Sequence, residues 1–297
     1  MKQPFTSISP TPLYLSLPLT LLTLLLTLPL THAGPAPSIP NFTLTWSDTF
    51  TGSAGHLASP SNWQYETPLT NNNNEIQQYT SFPLNANLSG YSTLHITPLY
   101  TPLTHTWTSA RLSTHQSFGC ANGEEMILQA SIKLGQNDIS HQQGFWPAFW
   151  TLGESFRSNF SWPNCGEWDI MELVNGASWN MGSAHWESAS SETAQSLSSS
   201  NEALDRSKWH TYGVRVSRIG SWETQSIRWE LDGETYYVVT GEMVGEYASW
   251  VKLVGETYFV ILNIAVGGGW AGVPDDETWG GSGSGMEVGY VAVYNGA

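Results

Sequence analysis

The chain has 297 residues, with 25 acidic and 10 basic side chains and a formal net charge of −15 at pH 7. So acidic a surface argues against nucleic acid and against anionic membrane surfaces as partners. Charged residues make up only 12% of the chain, while fifteen tryptophans and twelve tyrosines offer flat apolar faces of the kind that stack on neutral sugar rings.

Residues 1–33 read as a signal peptide. Lys2 is the only charge before the Leu-rich run "LYLSLPLTLLTLLLTLPL", and "THA" places small residues, Thr31 and Ala33, ahead of a cleavage point, so the mature chain is expected to begin near Gly34. A membrane anchor is the competing reading, but Pro18 and Pro29 interrupt the run. No second apolar run follows, and the C-terminus "VGYVAVYNGA" lacks a lipid-anchor tail. A secreted, extracellular monomer without membrane association is expected. Three N-glycosylation acceptors fit that compartment: Asn41 in "NFT", Asn87 in "NLS" and Asn159 in "NFS". The two cysteines, Cys120 and Cys165, are expected to form one disulfide there.

From residue 34 to the end, strand-like runs recur in chain order: "STLHITPLY", "EMILQASIKL", "FWPAFWTL", "EWDIMELV", "WHTYGVRVSRI", "SIRWELDGETYYVV", "YFVILNIAV" and "MEVGYVAVY". Gly, Ser and Asn turns separate them, which predicts one all-β domain over 34–297, a sandwich or jelly roll. Asp232-Gly233 reads as a hairpin tip. The Ser-rich segment from Ser188 to Ser200 is expected to be an exposed loop, and "NEALDRSKW" one short turn of helix.

In "CGEWDIMELVNG", residues 165–176, Glu167, Asp169 and Glu172 crowd into an otherwise apolar strand. Glu167 and Asp169 share a face, whereas strict alternation would send Glu172 to the other. One extra residue, a β-bulge, returns Glu172 to the acidic side. Three neighbouring carboxylates raise one another's pKa, and two acids with separated pKa values are what glycoside cleavage requires. A calcium site and a solvated acidic strand are the alternatives; calcium usually draws Asp and Asn from loops, and this run has apolar flanks. Trp146 and Trp150, four apart on a strand, share a face and are candidates for a stacking floor.

These residues carry a resemblance. "GEWDIME" resembles the ExDxxE active-site strand of glycoside hydrolase family 16, in its laminarinase-like branch. "QGFWPAFWTLGE", "EIQQYT", "TSARLST", "GSAHW", "WHTYGVRVS" and "LNIAVGGGWAG" resemble other segments of that family, in family order, and the style is that of fungal members. The resemblance implies a concanavalin A-like β-jelly-roll sandwich of two curved antiparallel sheets, with a substrate cleft on the concave face. It implies Glu167 as nucleophile, Glu172 as general acid/base, Asp169 as an assisting group and His185 as its orienting partner. It further implies Arg111, Trp270 and Asn74 as substrate-binding residues beside Trp146 and Trp150. "GGG" at 267–269 opens no helix and reads as a tight turn, not a phosphate loop. Five extended residues span roughly 16 Å, against the ~5–5.5 Å of a retaining pair, so the strand must curve.

Thr49 stands where relatives often have an acid, and Gly289 where some carry a calcium-binding Asp. No cofactor is therefore expected, and a structural calcium is disfavoured. The expected activity is endo-hydrolysis of β-1,3-linked or mixed β-1,3/1,4-glucan with retention. The alternatives are an endo-β-1,3-galactanase of the same family and a β-glucan-binding lectin; the latter is disfavoured because all three acids are present. No G-x-S-x-G or HExxH motif occurs.

Overall fold

In the computed structural model the described residues are 1, 34–69, 72–158, 161–201 and 203–296. The expected signal peptide and the Asn159 acceptor lie outside them. Almost every strand run read from the sequence is a strand. Seven form one antiparallel sheet in the spatial order Ala194–Asn201, Asn180–Glu187, Glu167–Glu172, Phe145–Gly153, Tyr258–Val266, Arg111–Phe118 and Trp63–Tyr65. A second antiparallel sheet runs Glu234–Thr240, Ser226–Leu231, His210–Ser217, Glu125–Leu134, Met286–Gly296, Leu94–Ile96 and Ala86–Leu88, with Thr43–Asp48 also paired to Met286–Gly296. Both belong to one unit, Thr31–Ala297. This is the jelly-roll sandwich expected.

The two sheets bury one shared core. Phe149, Trp168, Ile170, Met171, Leu262 and Ile264 from the first meet Leu128, Ile132, Val214, Val216, Trp229 and Val293 from the second. The period of two along each strand therefore divides the seven-stranded sheet into an apolar inner face and an outer face free to carry polar groups. Pro147 fits within Phe145–Gly153 because the ladder to the acidic strand ends at Ala148↔Glu172, one residue before it. Asp232 (φ 53°) and Gly233 (φ 83°) are both left-handed, the two-residue hairpin turn expected.

Three expectations are corrected. The Ser-rich segment is not a loop throughout: Ala194–Asn201 is an edge strand, paired over eight residues with Asn180–Glu187. An edge strand has one solvated face and needs only its backbone to join the ladder, so a polar low-complexity run suffices. "NEALDRSKW" shows no helix among its described residues; the longest helix among the described residues is Tyr247–Gly255, which buries Trp250, Leu253 and Val254. Its apolar 3–4 spacing is masked in the sequence by the neighbouring strand runs.

The disulfide is not formed either. Cys120 and Cys165 are both free and buried. They pack into different apolar clusters, Cys120 in the main core and Cys165 with Leu152, Phe259 and Ile261. The Cys120 thiol donates to the Glu124 carbonyl at 3.2 Å. Burial pushes each thiol up to about 11, which keeps both protonated and unreactive. Of the described glycosylation acceptors, Asn41 is exposed, whereas the Asn87 amide donates to the Pro83 carbonyl at 2.7 Å. Among the described residues no helix is long and apolar enough to cross a membrane.

Candidate active site

The acidic strand is entered through Gly166, whose φ is +78°. A side chain there would overlap the Tyr258 hydroxyl, so glycine is needed on both counts. Trp168 then stacks on Tyr258 with ring centroids 3.8 Å apart and anchors the strand to the core. The bulge is present. On one side Asp169 faces Trp150 and Met171 faces Phe149, skipping Ile170; on the other, the register shifts between Asp169↔Ser183 and Glu172↔Met181. Ile170 and Met171 consequently both enter the core, and Glu172 returns to the outer face beside Glu167 and Asp169.

All three acids line one cleft of about 510 Å³ on the outer face of the seven-stranded sheet. Alternate residues of adjacent strands complete it: Trp146, Ala148, Trp150 and Leu152 from one, Asn263 and Ala265 from the next, then Arg111. His185, opposite Glu167 in the ladder, places Nε2 3.1 Å from Asp169 Oδ2 and 3.9 Å from Glu167 Oε1. Trp162 Nε1 donates to Glu167 Oε2 at 3.0 Å, and Trp146 Nε1 to Glu172 Oε1 at 2.8 Å.

Burial pushes all three carboxyls up. Glu167 stands well above the ordinary value because of burial and then the charge of Asp169; Asp169 does so because of burial and then Glu172. Glu172 is raised by burial to about 7, opposed by the Trp146 hydrogen bond. The cluster therefore holds a proton near neutrality and titrates as a unit. Glu167 has two groups that favour its charged form, His185 and the Trp162 N–H. Among the described residues, Glu167, Asp169 and His185 also form a group able to hold a metal ion. That set mixes nitrogen and oxygen donors, unlike the all-oxygen shell calcium takes.

The remaining expected residues divide. Arg111 lines the cleft, but its Nε lies 2.5 Å from Glu66 Oε2 and its guanidinium sits over the Trp150 ring at 4.7 Å. Arg111 and Trp150 thus form one rigid wall, and Trp150 Nε1 donates to Asn263 at 2.7 Å. Trp270 is more than one-third exposed and meets Trp146 edge-on at 5.2 Å, outside the cleft wall proper. Asn74 is exposed and does not line the cleft; Asn72, Asn73 and Glu75 of the same segment do. The segment is pinned by Gly269 N–H donating to the Asn73 carbonyl and by a Glu75↔Gly267 bridge; the turn lies slightly later than expected, at 269–271, closed by Gly272 N–H donating to the Gly268 carbonyl at 3.0 Å. Trp162, Glu75 and Asn263 are cleft residues that sequence reasoning missed, as it missed Glu66, the partner of Arg111. Trp162 alone had a local signal, an indole five residues before Glu167.

Trp146→Phe is expected to remove the hydrogen bond that favours ionised Glu172. The Glu172 pKa then rises, and the alkaline limb of the rate profile moves to higher pH. A charge-assisted bond of this kind is worth about 1.5–3 kcal/mol, so a rate loss of roughly tenfold or more should accompany the shift. A pH–rate profile checks both; an unmoved alkaline limb would deny Glu172 its partner.

Comparison with known proteins gives a consistent result. The family model described as "XgeA-like, catalytic GH16 domain" matches residues 101–218, which contain all three acids. The chain is 30% identical to a β-glucanase of Rhodothermus marinus over 241 residues, 78% of either protein. The endo-1,3-β-glucanase of Streptomyces sioyaensis superposes with a TM-score of 0.78 at 31% identity, covering 89% of this chain and 99% of that one. A LamA variant of Z. galactanivorans, solved with laminaritriose and laminaritetraose, superposes with a TM-score of 0.65 at 27% identity, covering 85% and 98%. Several other curated relatives are longer, and the chain spans 34–55% of their length. A bulged strand with three converging carboxylates, the sandwich that carries it and these similarities agree: the chain belongs to glycoside hydrolase family 16.

Proposed function

We propose that this protein is a secreted endo-glycosidase that hydrolyses β-1,3-linked glucan, or mixed β-1,3/1,4-glucan, with retention of configuration and without a cofactor. The observation that carries the reading is the convergence of Glu167, Asp169 and Glu172 in one aromatic-walled cleft. The β-glucanase and endo-1,3-β-glucanase relatives support the sugar, and the Leu-rich leader supports export.

Each residue then has a task. Ionised Glu167 attacks the anomeric carbon as the glycosidic bond breaks, while protonated Glu172 donates its proton to the leaving oxygen. This leaves a glycosyl-enzyme ester. Glu172, now charged, takes a proton from water entering where the leaving sugar stood, and that water releases the glycan. His185 and the Trp162 N–H favour the negative charge of Glu167 between steps, and His185 fixes Asp169 beside it. Trp146 and the Arg111–Trp150 wall provide flat faces for the sugar rings.

NMR of the first reducing sugar released from laminarin tests the mechanism. The β-anomer is expected first; an initial α-anomer would mean inversion and defeat the assigned roles. Parallel digests of laminarin, lichenan and β-1,3-galactan test the sugar. Release from galactan alone would move the protein to the galactanase reading, and binding without cleavage of any of the three would leave a lectin.

A further inference from the structure

The bulge that delivers Glu172 to the cleft creates a local problem. Ile170 has no ladder partner on either side, yet it is 1% exposed, so its backbone groups cannot turn to water. The solution comes from Asn180, which is fully buried at the start of the neighbouring strand. Its Oδ1 accepts the Glu172 backbone N–H at 3.1 Å, and its Nδ2 donates to the Ile170 carbonyl at 3.3 Å and to the Tyr236 hydroxyl at 2.9 Å. The amide cannot be turned over: flipped, it would set donor against donor at Glu172 and acceptor against acceptor at Ile170. From the opposite sheet, Trp229 Nε1 donates to the Asp169 carbonyl at 2.7 Å. Gly182 makes room for that indole, since a side chain there would overlap it.

We infer that Asn180 is a positioning residue for the general acid/base. By clipping the two backbone groups that flank Met171, it sets the bulge and thereby the direction in which Glu172 leaves the strand. Tyr236 in turn holds the Asn180 amide. Neither residue lines the cleft, so neither acts on substrate directly. The inference rests on the hydrolase reading above.

Its test exploits the different need of substrates for acid assistance. A sugar leaving group must be protonated as it departs; a dinitrophenolate need not be. Both kcat/KM values report the glycosylation step alone. For Asn180→Ala, kcat/KM on a β-1,3-gluco-oligosaccharide is expected to fall about 100-fold, the cost of misplacing a reacting group by roughly 1 Å. On the dinitrophenyl glycoside of the same oligosaccharide it should stay within about threefold. Tyr236→Phe, which empties no core position, should shift the ratio in the same direction by a smaller factor and carries the test alone should Asn180→Ala not fold. Equal losses on both substrates, or a lowered melting temperature with unchanged kcat/KM per folded molecule, would overturn the inference. Glu172→Gln is the reference: if it shows no dependence on the leaving group, the acid/base reading itself fails, a result distinct from failure at Asn180.

Discussion

Glu167→Ala and Glu172→Ala should each abolish hydrolysis of laminarin, for different reasons that azide separates. Without Glu167 no glycosyl-enzyme forms, and the loss should be on the order of 10⁴–10⁶-fold, the scale seen when a hydrolase loses its nucleophile. Without Glu172 the leaving sugar is unprotonated and the entering water unactivated; general acid–base catalysis of this kind contributes about 10²–10⁴-fold. Each alanine leaves a space that azide fills. In Glu167→Ala, azide attacks from the vacated side while Glu172 still protonates the leaving group, so the product is an α-glycosyl azide. In Glu172→Ala, supplied with a dinitrophenyl glycoside, Glu167 forms the ester and azide opens it from the opposite side to give a β-glycosyl azide. NMR of the two products decides the assignment. Exchange of the two outcomes would exchange the roles of the glutamates, and near-normal hydrolysis by either variant would remove that residue from the mechanism.

Glu172, the proposed general acid/base, should also make the fold less stable. Glu172 has an ordinary pKa of 4.5 and is raised by burial to about 7 in the fold. Between those values the folded state retains a proton that the unfolded state has released. Unfolding free energy therefore falls as pH rises through that window, and the stability present below 4.5 is lost above 7. Glu172→Gln cannot lose it. At pH 8 the variant should exceed the parent by up to about 3 kcal/mol, at 1.36 kcal/mol per pKa unit. The gain should fade towards pH 4. Removing this charge also relieves Asp169, whose carboxyl it helps to push up, so both effects stabilise the variant. Urea midpoints at pH 4 and pH 8 measure the difference. A variant equally less stable at both would show that Glu172 is held by contacts rather than strained by its charge.

Much of this was legible in the residues. Alternation along "FWPAFWTL" and "EWDIMELV" separates Phe149, Trp168 and Ile170 from Trp146, Trp150 and the acids, because a strand exposes its two faces at a period of two. One count out of step, between Asp169 and Glu172, was enough to call the bulge. What the residues could not show is how strands distant in sequence meet. Glu66 against Arg111, Asn263 against Tyr79 and Trp229 beneath Asp169 are juxtapositions made by sheet order, which no local spacing encodes. The cysteines show the same limit from the other side: an even count and an oxidising compartment favour a bridge, but packing put Cys120 and Cys165 into different apolar clusters. The Ser-rich edge strand is a third case. Its pairing comes from the unsatisfied backbone of Asn180–Glu187 rather than from its own side chains, so its sequence carries no strand pattern to read. The chemical kind of the site, three carboxylates on one apolar strand, was thus determined by sequence alone. The protonation of Glu172, the wall of Arg111 and Trp150 and the clip at Asn180 were decided only by tertiary structure, because burial and through-space contact set them.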